Sequence, residues 1–70
     1  MDLSMLKIRY GKHARLRMIE RGVSEIEVRN AIIKGAKRNQ NGKIIASYSY
    51  FEVVYKKVNS EIYVITVKPG

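Results

Sequence analysis

The residues best suited to chemistry stand in one short stretch, Lys12 to Val28, with the sequence KHARLRMIERGVSEIEV. At about 100° per residue, His13, Arg17, Glu20 and Arg21 fall at i, i+4, i+7 and i+8 of a helix and so share one stripe. An imidazole, two guanidinium groups and a carboxylate in line suit proton transfer beside a bound phosphate. His13 is the single histidine of the chain and the side chain that titrates near neutrality when unperturbed, which makes it the candidate base or acid. Arg17 and Arg21 can hold phosphate oxygens bidentately, and Glu20 can orient His13 or pair with either arginine. The same four residues have a plainer use, as a polar network that pins the helix to its neighbours. A second set lies further along. Lys37, Arg38, Lys43, Lys56 and Lys68 offer phosphate contacts, and Tyr48, Tyr50, Tyr55 and Tyr63 offer stacking rings or phenolic acids, although tyrosines in a small sheet serve mostly as packing.

These side chains need elements to position them. Leu16 and Ile19 point away from the stripe, with Ala14 and Met18 bordering it, which predicts a helix with apolar contacts on two sides and a cationic seam between them. Gly22 suits the left-handed residue that ends a helix. Ser24 and Glu27 then form a capping box, with Val23 and Val28 at the two positions of a hydrophobic staple. A helical hairpin follows directly, its second helix running from Glu25 to about Lys34 with Gly35 as C-cap.

Before the hairpin, Met5 to Tyr10 alternates as a half-buried strand does, with a basic polar side. After it the period changes. Ala36 to Gln40 is polar and reads as a short edge strand, and Asn41-Gly42 is the strongest two-residue hairpin signal in the chain. Lys43 to Tyr48 follows, then a bend or bulge near Ser49, then Phe51 to Val58. Asn59-Ser60 makes another tight turn, and Glu61 to Lys68, rich in β-branched residues, belongs in the middle of the sheet. The expected fold is α+β in a single domain over residues 1–70: an N-terminal strand, a two-helix hairpin and a three- to four-stranded antiparallel meander, the helices on one face. Ile26, Val28, Ile32, Ile33, Val54, Val64 and Ile65 are its expected core.

Composition narrows the functional classes. Fourteen Lys and Arg against six acids give 70 residues a net charge of +8, a field that gathers polyanions, nucleic acid or an acidic protein among them. The absence of cysteine excludes disulfides and thiolate metal sites, and one histidine cannot build a histidine-rich centre. No metal and no cofactor are expected. No window approaches the run of apolar residues that a membrane span needs, and the opening MDLSMLKIRYGK lacks a signal-peptide core, so a cytoplasmic protein is the expectation.

The phrase His13-Ala14-x-x-Arg17-Met18-x-Glu20-Arg21-Gly22-Val23, with Ser24 and Val28 after it and a terminal strand Val64-Ile65-Thr66-Val67, resembles a family of small uncharacterised domains grouped with the RelE/ParE-like toxins of toxin–antitoxin pairs. Gly11-Lys12 stands where that family often has a Ser or Thr cap, and glycine serves there as N-cap. The resemblance covers nearly the whole chain and implies the RelE/ParE-like fold. RelE-like members cut messenger RNA, usually on the ribosome, whereas ParE-like members poison DNA gyrase. It therefore implies a toxin-like protein acting on RNA, as a metal-independent endoribonuclease with His13 for proton transfer and Arg17, Arg21 and a sheet lysine at the phosphate. Two rival readings stand beside it: a non-catalytic module that binds nucleic acid or an acidic, antitoxin-like protein, and a structural homodimer joined through an exposed strand.

Overall fold

The computed structural model describes residues 7–70. Seven elements follow in order: β1 (Ile8–Tyr10), α1 (Lys12–Arg21), α2 (Glu25–Lys34), β2 (Ala36–Gln40), β3 (Lys43–Tyr48), β4 (Phe51–Val58) and β5 (Glu61–Pro69). The strands form one five-stranded sheet in the order β1-β5-β4-β3-β2. β2 to β5 are a four-stranded antiparallel meander, and β1 lies parallel to β5 with Ile8 opposite Ile62 and Tyr10 opposite Val64. β5 is thus an interior strand, and β4 holds the centre. The first strand covers only part of the stretch expected for it; Met5 and Leu6 lie outside the described residues.

Local chemistry explains the joints. α1 begins at Gly11, which is extended and supplies no side-chain cap. Glycine suits this joint sterically, because a Cβ there would come within 2.7 Å of the Tyr63 hydroxyl. α1 ends at Gly22, left-handed at φ 69°, whose N–H donates to the Ile19 carbonyl while Val23 donates to that of Met18. At α2 the capping box is complete: the Ser24 hydroxyl accepts from the Glu27 N–H at 3.2 Å, and the Glu27 carboxylate accepts from the Ser24 N–H at 3.0 Å. Gly35 follows α2 in extended rather than left-handed conformation. What selects glycine there is crowding, since a Cβ would sit 2.5 Å from the Ala31 carbonyl oxygen and 2.7 Å from that of Ser47.

The hairpins of the meander are all two-residue turns. Asn41-Gly42 and Asn59-Ser60 each have positive φ at both residues, as type I′ demands. Ser49 also has positive φ, at 56°, and with Tyr50 closes the β3–β4 turn directly after the Tyr48–Phe51 pair. The irregularity expected near Ser49 is therefore a turn. The bulge lies in β5, where Val54 faces Thr66 and Tyr55 faces Val64, leaving Ile65 as the extra residue.

Both helices cover the sheet face that carries Ala46, Phe51, Val53, Tyr55, Ile62, Val64 and Val67, and they bury Ala14, Met18, Val28, Ala31 and Ile32 against it. The expected core is corrected at three places. Ile26 is 72% exposed, because α2 turns a single face to the sheet, and Ile33 and Ile65 are half-buried. The two-sided apolar packing expected of the first helix does not occur either: Leu16 and Ile19 are exposed and only Ala14 and Met18 are buried. Among the described residues no helix is long and apolar enough to cross a membrane.

Candidate functional site

The stripe on α1 assembles as its spacing dictates. Arg17 sits at its centre, donating from Nη1 to Glu20 Oε1 at 3.0 Å and from Nε to His13 Nε2 at 3.4 Å. Arg21 makes no hydrogen bond or ion pair with the described residues. His13, Glu20 and Arg21 are exposed and Arg17 half-buried, so this is a surface stripe and not a recessed pocket.

The second set of residues does not gather in one place. Strand alternation divides it between the two faces of the sheet. Tyr55, only 2% exposed, and half-buried Tyr48 belong to the helix-covered side, where Tyr48 meets Phe51 edge-on with ring centroids 6.2 Å apart. Tyr55 is packing, and its burial raises its pKa above the ordinary phenol value. Lys37 also lies on that side, and its Nζ donates to the carbonyls of Gly35 at 2.8 Å and Ile33 at 3.3 Å, at the negative end of α2.

Arg38, Lys43, Lys56 and Lys68 come together on the opposite face, away from α1 and α2. Two rows of cross-strand neighbours run over it: Ser47–Glu52–Lys68, and Arg38–Ile45–Val54–Thr66. Tyr63 faces Lys56 on the same side. At the centre is Glu52, which accepts from the Ser47 hydroxyl at 2.9 Å and from both terminal nitrogens of Arg38 at 3.2 Å, with Lys68 Nζ at 3.7 Å. Its carboxyl is held below the ordinary range, chiefly by the Ser47 bond, with Arg38 and Lys68 adding to it and partial burial opposing. Glu52 does not stand out as a site residue in the sequence, although a lone acid inside the apolar run Phe51-Glu52-Val53-Val54 is signal enough to find it. Nearby, Lys43 and Lys68 flank a shallow depression of about 200 Å³ over Ile45 and Val54.

A larger groove of about 360 Å³ opens on the helix-covered side. Ile32 and Ile33 of α2 form one wall, and Ile44, Tyr55 and Ile62 lie beneath. Lys37, Arg38, Asn39 and Lys57 complete its lining, and Tyr55 and Ile62 at its base are buried. Lys57 is equally inconspicuous in the sequence, because the Lys56-Lys57 pair reads as one solvated run until the strand sends the two to opposite faces.

Three comparisons bear on this arrangement. The fold matches a chain in the crystal structure of the toxin–antitoxin complex RelBE2 from Mycobacterium tuberculosis, with a TM-score of 0.62 and 11% identity over 93% of this chain and 98% of the other. At that identity the likeness is one of fold, and the fold is RelE-like. No curated protein matches the sequence. The sequence itself answers to a family described as a domain of unknown function, and since residues 10–68 match it, the chain belongs to the DUF4258 family.

Proposed function

We propose that this protein is the toxin-type member of a toxin–antitoxin pair and acts on RNA, which it holds on the face of its sheet away from α1 and α2. One observation carries the reading: each strand of the meander contributes a cation to that face, Arg38 from β2, Lys43 from β3, Lys56 from β4 and Lys68 from β5. Tyr63, 39% exposed beside Lys56, adds a ring on which a base can stack. Phosphate contacts of this kind release counterions, so affinity for single-stranded RNA falls with salt. The test is fluorescence anisotropy with a mixed-sequence RNA oligomer over a salt series. Lys43→Ala and Lys56→Ala each make the salt slope shallower by about 0.7, the share of one neutralised phosphate, and Arg17→Ala leaves it unchanged. Equal slopes for wild type and both lysine variants overturn the proposal.

A second reading, cleavage by the α1 stripe, is supported by the chain of hydrogen bonds from Glu20 through Arg17 to His13. A neutral imidazole can take a proton from a 2′-hydroxyl, and the guanidinium beside it can meet the charge that develops on phosphorus. Incubation of an RNA pool with chelator, alone and with ribosomes, tests it. Products that disappear in a folded His13→Ala variant support this reading, and intact RNA throughout rejects it.

A further inference from the structure

Core packing accounts for the ring of Tyr55 but not for its hydroxyl. The residue is 2% exposed, and the hydroxyl makes no hydrogen bond with the described residues. A buried phenol ordinarily finds a partner, because an unpaired hydroxyl costs free energy that phenylalanine would avoid. Among the described residues no buried side-chain oxygen is both sealed from the surface and unpartnered, so this one keeps an opening. The cavity it lines is the groove of about 360 Å³ beside α2.

The sheet register places what lies around that hydroxyl. Asn39, Ile44 and Tyr55 form one cross-strand row from β2 to β4, and Lys57 with Ile62 forms the next, from β4 to β5. Tyr55 and Lys57 stand two residues apart on one face of β4, about 7 Å at the usual rise, so one small group can reach both side chains. Every charged side chain in the lining is a cation, and Lys57 makes no ion pair with the described residues. The apolar surface is isoleucine: Ile32 and Ile33 from α2, Ile44 and Ile62 from the sheet. The volume lies at the lower end of the roughly 300–1,000 Å³ that small-molecule sites occupy.

From these features we infer that the groove binds a small amphipathic carboxylate. Its apolar body lies among the isoleucines, and its head accepts from the Tyr55 hydroxyl and from the Lys57 ammonium. A singly charged head suits this pair. Arg38, whose fork could grip a doubly charged phosphate, is already engaged by Glu52, and Ile32 and Ile33 belong to the C-terminal, negative end of the α2 dipole. The ligand is neither RNA nor a protein, so the inference does not depend on the proposed function.

The probe is octanoate, titrated below the concentration at which it aggregates into the isotope-labelled full chain and followed by amide chemical shifts. Acetate carries the same head without the body, and octylammonium the same body with the opposite charge. Octanoate is expected to give saturable shifts centred on Ile44, Tyr55, Lys57 and Ile62, and both comparators to bind at least about tenfold more weakly. Lys57→Ala is expected to weaken octanoate about tenfold, and Lys43→Ala, on the opposite face, to leave it unchanged. Tyr55→Phe separates binding from packing. Since the hydroxyl holds no internal bond, its loss is expected to leave the thermal melt at neutral pH unchanged yet to weaken octanoate about fivefold. Shifts of equal size with acetate or octylammonium overturn the inference, as does an unchanged affinity in either Lys57→Ala or Tyr55→Phe. So does binding to vesicles of mixed phosphatidylcholine and phosphatidylglycerol without saturable binding of octanoate, since the apolar anion is then a membrane surface.

Discussion

Arg38 on the edge strand β2 reaches across β3 to Glu52 on β4, with Nη1 to Oε2, Nη2 to Oε1 and Nη2 to Oε2 all at 3.2 Å. Ser47 of β3 lies between them, accepting from Arg38 at 3.3 Å and donating to Glu52 at 2.9 Å. Three strands are thereby clamped on the face that carries the cations, and the carboxylate restrains the two cations beside it.

Replacing Glu52 with Gln frees Arg38 and Lys68. Stability is expected to fall by about 1 kcal/mol, since Arg38 is half exposed and solvent weakens the pair. Affinity for the RNA oligomer is expected to rise severalfold. The pH dependence has a definite sign: a carboxyl held below its usual 4.5 when folded gives stability that is complete above that value and is lost as pH falls through the folded pKa. Denaturant melts between pH 6 and about 3 are expected to show a shallower acid loss in the Gln variant.

Two glycines make a paired test of why glycine is present. Gly22→Ala introduces only the strain of a left-handed residue at φ 69°, with nothing within 4 Å of the new methyl, and is expected to lose about 1 kcal/mol. At Gly35 the methyl would meet two backbone carbonyl oxygens, at 2.5 and 2.7 Å, so α2 must move from β3. A loss of roughly 2 to 3 kcal/mol is expected for Gly35→Ala. Similar losses for the two variants would disprove the crowding argument.

At alkaline pH two phenols bear on stability, the buried Tyr55 and the half-buried Tyr10. Desolvation raises the pKa of Tyr55 and is also the largest cause of the rise at Tyr10, where the charge of Glu25 adds to it and Arg29 and Arg15 oppose it. Both rings ionise more readily in the unfolded chain, so their contribution is complete below pH 10.0 and is lost as pH climbs through the folded values. Tyr55→Phe is expected to flatten the decline of stability above pH 10, as followed by chemical denaturation.

The helical hairpin offers the cheapest check on its own construction. Ser24→Ala removes one arm of the capping box and is expected to lose about 1 kcal/mol, lowering Tm by roughly 4 to 8 °C in a domain of this size. Ile26→Gln, at a site 72% exposed, is expected to change stability by less than about 0.5 kcal/mol. Val28→Ala, fully buried, is expected to lose about 2 kcal/mol.

Wherever local chemistry decides structure, the sequence can be read directly. The capping box at Ser24 and Glu27, the left-handed Gly22 and the turns at Asn41-Gly42 and Asn59-Ser60 all depend on residues within four positions of one another. Burial of individual side chains is less legible. Ile19 and Ile26 are as apolar as Ile32, and only the docking direction of each helix, set by distant strands, exposes the first two and buries the third. The cations illustrate the same division. Their total charge is plain, but the split of Lys56 from Lys57 follows from strand alternation, and the role of Glu52 follows from a register that places Ser47 opposite it and Arg38 one strand further out.

The parallel pairing of β1 with β5 orders the birth of the molecule. β1 and α1 are the first of the seven elements to leave the ribosome, yet β1 pairs with β5, the last, and the Gly11 N–H at the start of α1 donates to the Val64 carbonyl of that strand. The helical hairpin and the β2–β4 meander can form from neighbours in sequence as they emerge. The sheet acquires its fifth strand, and the first helix its partner, only once β5 is in place, so the meander without β5 is a three-stranded sheet with an open β4 edge and no place for β1.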